Sequence, residues 1–163
     1  MADAAAKARR ATGKPARPVP GPLTYVEIFR ASPTDRIRII REGVAASTAK
    51  RMIADLHFDQ GAFLGALNLK VATVNRKAAR HEPLAPEDGE RVIGIARLVG
   101  QVEAMLEDAG TGEGFDAAGW LAQWLRAPLP ALGGLRPVDL VDTMEGQSLV
   151  SQALAQVGSG AYA

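Results

Sequence analysis

Phe63-Leu64-Gly65-Ala66-Leu67-Asn68-Leu69-Lys70-Val71-Ala72-Thr73-Val74-Asn75-Arg76 is the stretch whose reading decides the fold. Its large apolar residues do not alternate. Phe63, Leu64 and Leu67 recur at helical spacing, and a second set begins after Asn68 with Leu69 and Val74. Asparagine tolerates the left-handed conformation that stops a helix, so Asn68 reads as a turn between two short helices. Leu67, Leu69 and Val74 would fill the angle between them. The spacing is that of a helix-turn-helix, and its second helix would present Lys70, Thr73, Asn75, Arg76, Lys77 and Arg80. Asparagine and arginine make bidentate bonds to adenine and guanine edges, while lysine and threonine hold phosphates. An exposed helix carrying such residues enters a major groove, so these six are candidate DNA contacts. An ordinary helical pair with a solvated basic face would carry the same pattern.

Working outward, Asp59 to Leu67 forms the first of the two helices, and Ser47 to His57 precedes it with Met52, Ile53 and Leu56 on one side. Ser32-Pro33-Thr34-Asp35 supplies an N-cap serine, a proline at the first helical position and an acid three residues after the cap, so a helix starts there and ends at Gly43. Leu23 to Phe29 is a short apolar piece before it. On the other side, the Pro83-Leu84-Ala85-Pro86 break opens a long helix to about Glu107, with an apolar stripe of Val92, Ile95, Val99, Val102 and Leu106. A glycine-rich loop follows over 110–114, and Asp116 caps a helix holding Trp120, Leu121, Trp124 and Leu125. Pro128, Pro130, Gly133 and Gly134 enforce an irregular turn, and a last helix spans Gly146 to Val157. No Val/Ile/Thr-rich segment alternates with period two long enough for a sheet, so the fold is read as all-α.

The formal net charge of +1 conceals a division along the chain. Residues 1–22 carry Lys7, Arg9, Arg10, Lys14 and Arg17 against Asp3, and this Ala/Pro-rich stretch is predicted to be disordered. Residues 34–80 set nine basic side chains against four acids, whereas 81–163 set Arg91, Arg97, Arg126 and Arg136 against twelve carboxylates. A basic half and an acidic half suggest two different partners, and the concentration of positive charge around the helix-turn-helix favours DNA as one of them.

Several classes are set aside. With no cysteine among 163 residues, disulfide scaffolds, thiolate zinc sites and cysteine nucleophiles are excluded. No apolar run approaches the roughly 18 residues that cross a bilayer, and no apolar stretch follows the basic amino terminus, so a cytoplasmic protein without membrane contact is expected. His57 and His81 lack metal-ligand spacing. Asp139 and Asp142 read as acids in a first helical turn, favoured there by the helix dipole. Gly158-Ser159-Gly160 lacks the pattern and setting of a hydrolase elbow, and no convergent nucleophile, base and ligand set exists. No enzyme, metal or cofactor is expected. Trp120 and Trp124, four apart, read as core.

The stretch from Trp120 onward is the most specific. Trp120-Leu121, Pro128-x-x-x-Leu132-Gly133-Gly134, Pro137-Val138-Asp139 and Gly146-x-x-x-Val150-x-x-x-Leu154 follow in order. This resembles the carboxy-terminal, toxin-binding domain of the MbcA/ParS/Xre antitoxin family, and Thr73-Val74-x-Arg76 in the helix-turn-helix extends the resemblance to most residues after Ser32. Asn68 stands where the family usually has glycine, and Ala85 where a capping Ser or Thr is common. The resemblance implies an Xre-like helix-turn-helix and dimerisation domain over 23–107, followed by a small helical toxin-binding domain over 108–163. It further implies homodimerisation, operator DNA binding, and a cognate RES-domain toxin that degrades NAD or uses it for ADP-ribosylation and whose active site the second domain covers. A toxin that binds NAD phosphates needs a basic cleft, which suits an acidic domain with a slim tail. On that basis Leu149, Leu154 and Val157 are expected to seat the last helix, with Gly158, Ser159, Gly160, Ala161, Tyr162 and Ala163 entering or bordering the cleft. A free-standing helix-turn-helix transcriptional regulator is the competing reading.

Overall fold

A computed structural model describes residues 23–160, so the predicted disorder of 1–22 and the tail positions Ala161, Tyr162 and Ala163 lie outside the described residues. Among the described residues eight α-helices follow one another: α1 (Tyr25–Arg30), α2 (Pro33–Glu42), α3 (Ala46–Asp55), α4 (Gln60–Ala66), α5 (Val71–Ala79), α6 (Pro86–Asp108), α7 (Ala117–Arg126) and α8 (Met144–Gly158). Two 3-10 turns, Pro130–Leu132 and Pro137–Asp139, lie between α7 and α8. Among the described residues no strand forms. The closest approach to one is an antiparallel bridge between Ala45 and Pro83, where Leu84 N–H donates to Val44 O at 2.8 Å.

The local signals place most helix ends. Ser32 caps α2 by accepting from Asp35 N–H with Pro33 at the first helical position, and Gly43, at φ 106°, ends that helix. Asp59 and Asp116 cap α4 and α7 in the same way. Asn68 sits at φ 56°, the left-handed turn expected of it. Where the structure differs, a cap explains the difference. Leu23–Phe29 is more than an apolar piece, because Thr24 and Glu27 form a reciprocal capping box that starts α1. Helix α8 starts two residues before Gly146, since Thr143 accepts from Gly146 N–H and sets the first turn at Met144.

Helix α6 is the spine of the molecule. Of the expected stripe, Val92, Ile95, Val99 and Val102 are buried and Leu106 is partly so, but Gly89, Ile93, Gly94, Ala96, Leu98, Gly100, Gln101 and Ala104 are buried too, because α1, α2, α7 and α8 all pack on it. A helix surrounded in this way is apolar around most of its circumference, and its moment fades accordingly. Two of its glycines are required by close approach: a Cβ on Gly100 would lie 2.0 Å from the Tyr25 carbonyl oxygen, and one on Gly94 1.6 Å from Gln147 Oε1. Arg36 of α2 closes the other side of the α1 contact by donating to the carbonyls of Ile28, Phe29 and Ala31, which α1 leaves without intrahelical partners. Helices α3, α4 and α5 pack on one another as a trio around Met52, Leu56, Phe63, Leu64, Leu67 and Val74, all fully buried and continuous with the rest of the core.

Candidate functional site

Two surfaces are built on this frame. The first is the trio. Leu67, Leu69 and Val74 are buried in the angle between α4 and α5, as the turn requires. Arg91 of α6 reaches the Leu67 carbonyl at 3.5 Å while paired with Asp88, fastening the end of α4 to the spine. The six candidate DNA contacts do not share one environment. Lys70, Arg76 and Arg80 are exposed, and Thr73 is partly covered. Lys77 turns back to donate to the Pro83 carbonyl at 3.1 Å. Asn75 is partly buried, and its Oδ1 accepts from Lys50 Nζ of α3 at 2.9 Å and from Gln60 Nε2 of α4 at 2.7 Å. The outward ridge of α5 is Val71, Ala72, Arg76, Ala79 and Arg80. Lys50 and Gln60 were missed from sequence, because nothing in their spacing announces that they meet Asn75.

The second surface is the carboxy-terminal unit. Helix α8 lies on α6 through Val150 and Leu154, both fully buried, and through two buried glutamines. Gln147 Nε2 donates to the carbonyls of Arg91 at 3.1 Å and Val141 at 2.9 Å. Gln101 exchanges bonds with Ser151, donating to its carbonyl at 3.0 Å and accepting from its hydroxyl at 2.8 Å. A buried amide left unpaired is costly, so these bonds fix the register of α8 on the spine.

The outer face of α8 is poor in charge, since Glu145 is the sole ionisable residue between Met144 and Gly158. The three residues expected to seat the helix separate here. Leu154 does so, whereas Leu149 and Val157 are 42% and 37% exposed: Leu149 falls off the stripe of Val150 and Leu154, and Val157 keeps that stripe but sits in the last turn of α8, at an open groove. Val157 and Gly158 border a groove of about 760 Å³ lined by Met105, Leu106, Phe115 and Trp120. Ser159 and Gly160 are exposed beyond it, and Gly160 takes φ 72°. Trp120 and Trp124 stack with centroids 6.3 Å apart and pack against the core without being fully buried.

Gly133 and Gly134 form the irregular turn through successive left-handed conformations, φ 66° and 85°, with Gly134 N–H donating to Leu129 O. Asp139 is held by a two-pronged bond from Arg136 at 2.8 and 2.9 Å, which keeps its carboxyl below the usual range. It is not poised as a base. Across the seam between the two units, His57 lies 3.6 Å from Asp116, and the Arg126 guanidinium sits 3.9 Å over the Phe58 ring. Among the described residues no group of acids and histidines has the geometry of a metal site, and no helix is long and apolar enough to cross a membrane.

Comparison with known proteins covers both segments of the chain. Residues 35–97 match the antitoxin Xre-like helix-turn-helix domain, and residues 102–160 match the antitoxin Xre/MbcA/ParS C-terminal toxin-binding domain, so the two segments meet within α6. Over all 163 residues the chain is 57% identical to the Prs ADP-ribosylating antitoxin of Sphingobium sp. (strain YBL2), covering the whole of both chains. The chain belongs to the Xre/MbcA/ParS antitoxin family. It is also 24% identical to the antitoxin Xre of Pseudomonas putida (strain KT2440) over 92 residues, which is 56% of this chain and 52% of that one. As a family member the chain is the antitoxin of a toxin–antitoxin system, with a cognate toxin as partner.

Proposed function

We propose that the chain neutralises a RES-domain toxin that consumes NAD or uses it for ADP-ribosylation, by laying the outer face of α8 and the tail from Gly158 to Ala163 across the toxin's active site. The observation that carries this reading is the surface of α8: fifteen residues with one charge, exposed Leu149 and Val157, and an apolar groove at its end. Depletion of charge at the centre of a patch is the compositional mark of a protein interface. The name of the 57% identical relative, which couples an antitoxin with ADP-ribosylation and with Prs, favours ADP-ribosylation over NAD degradation as the toxin's chemistry. The excess of acids over 81–163 complements the basic cleft that NAD phosphates require.

The amino-terminal trio supplies the second part of the reading, operator DNA binding through α5 by a homodimer. Exposed Ile37 on α2, a helix with no fully buried residue, offers an apolar surface for self-association. Two partners held through one spine, with Arg91 bonded to both the Leu67 carbonyl and Gln147, would allow toxin occupancy to be reported to the operator.

The test is to tag the protein in its host, isolate what co-purifies in stoichiometric amount, and co-express it with a chain lacking residues 158–163. A RES-domain partner, and toxicity restored by a truncated antitoxin that still unfolds at the wild-type temperature, are the expected results. DNA recovered with no protein partner, or full neutralisation by the truncated chain, would reject the active-site reading.

A further inference from the structure

Asn75 is read from sequence as an adenine contact, and its surroundings oppose that role. A lysine ammonium only donates, so the amide atom of Asn75 facing Lys50 Nζ is its oxygen, and the same oxygen receives Gln60 Nε2. Adenine is recognised by both halves of an amide, the oxygen toward the exocyclic amine and the nitrogen toward N7. With its oxygen engaged twice, Asn75 offers outward only its two amide hydrogens.

Lys50 and Gln60 keep donors as well. After bonding to Asn75, the exposed ammonium of Lys50 keeps donors to spare, and the Gln60 amide keeps a second hydrogen. Three helices therefore converge on a cluster of donors carrying one positive charge, with the Asn75 oxygen already satisfied. The donors match a phosphodiester oxygen, which only accepts, and with the Asn75 oxygen engaged twice the sole acceptor left in the set is Gln60 Oε1. On the adjoining ridge of α5, Arg76 is the exposed mid-helix side chain with a bidentate donor fork, flanked by the methyl groups of Ala72 and Ala79.

We infer that Lys50, Gln60 and Asn75 form a phosphate clamp that seats one DNA strand where α3, α4 and α5 meet, while Arg76 discriminates between bases. This rests on the operator-binding reading above. The roles separate positioning from specificity.

The test is fluorescence anisotropy of the full-length protein with a duplex from upstream of its own gene and with a scrambled duplex of equal length, each over a salt series. Lys50→Gln should weaken both duplexes by the same factor and reduce the slope of log affinity against log salt by about 0.9. Asn75→Asp keeps the acceptor for Lys50 and Gln60 but loses the amide donors. It should leave the unfolding temperature in place and weaken both duplexes equally. Arg76→Ala should instead lower the ratio of the two affinities by roughly ten- to a hundredfold. The clamp is overturned if Asn75→Asp binds like wild type, or if Lys50→Gln or Asn75→Asp alters the ratio. A wild-type protein that binds neither duplex at low salt overturns the operator reading itself, and the clamp with it.

Discussion

The trio of α3, α4 and α5 and the carboxy-terminal unit of α7 and α8 are both helical and both buttressed by the same spine, yet they are held differently. The trio closes on side chains alone, with Phe63, Leu64, Leu67 and Val74 fully buried and its hydrogen-bonded triad at the rim. The carboxy-terminal unit has its own apolar contacts through Leu121, Leu125, Val150 and Leu154, but buried polar clasps at Gln101 and Gln147 set its register. Apolar packing tolerates small shifts that hydrogen bonds do not. The difference suits the jobs proposed for them: α8 must hold a nearly uncharged face in one register, whereas the helices of the trio need only stay packed on one another to present α5.

The largest expected effect tests whether the two regions are independent. Leu64→Ala and Leu154→Ala each remove a fully buried leucine and should each cost about 2–5 kcal/mol. Because the buried side chains of both regions belong to one continuous core, each variant should unfold in one transition. Both tryptophans lie in α7, so their fluorescence follows the carboxy-terminal unit while far-ultraviolet circular dichroism follows all helices. Coincident denaturation curves support the shared spine; Leu64→Ala curves that split by several tenths molar of denaturant would break it into two folding units.

A smaller effect sharpens the contrast in fastening. Gln147→Met keeps the side-chain length but leaves the carbonyls of Arg91 and Val141 without their donor, at a cost of about 1–3 kcal/mol. Neutralisation of the toxin should suffer more than DNA affinity, because only α8 loses its register. Equal losses in both activities would mean that the clasp supports the whole fold and has no special bearing on α8.

The same contrast explains what the sequence made legible. Helix ends with a local chemical cause, Ser32-Pro33, Gly43, Asn68 and Asp116, stand where the residues indicate. The Phe63 to Val74 pattern is readable because a trio closed by apolar side chains writes its packing into its periodicity. Helix α6 is less so: a period-3.6 stripe captures one face, while Gly94 and Gly100 are explained only by partners distant in sequence, Gln147 and Tyr25. For the same reason Leu149, Leu154 and Val157 look equivalent along the chain but divide between interior and surface. Short α1 escaped the reading although its Thr24 and Glu27 cap was present, since six residues show too little periodicity. The Lys50–Asn75–Gln60 convergence joins positions up to 25 apart and has no sequence signature.

The smallest effect concerns a polar residue of α6 that works against the spine. Glu103 faces α1, where Val26 N–H donates to its carboxylate, but burial is the dominant influence and raises its pKa, with nearby Glu107 adding to the rise. A carboxyl that holds its proton more tightly in the folded than in the unfolded chain weakens the fold as pH climbs from the ordinary glutamate value through its raised one. Glu103→Gln retains an acceptor for Val26 N–H and removes the buried charge. It should raise the unfolding temperature slightly at neutral pH, with the advantage shrinking as pH falls through that window and the wild-type carboxyl becomes neutral. A variant that melts lower at neutral pH would show that the charged bond to Val26 outweighs burial. In that case α6 would gain stability from its polar contacts on the α1 side as it does at Gln101 and Gln147, and the contrast between apolar and polar fastening would belong to α8 alone.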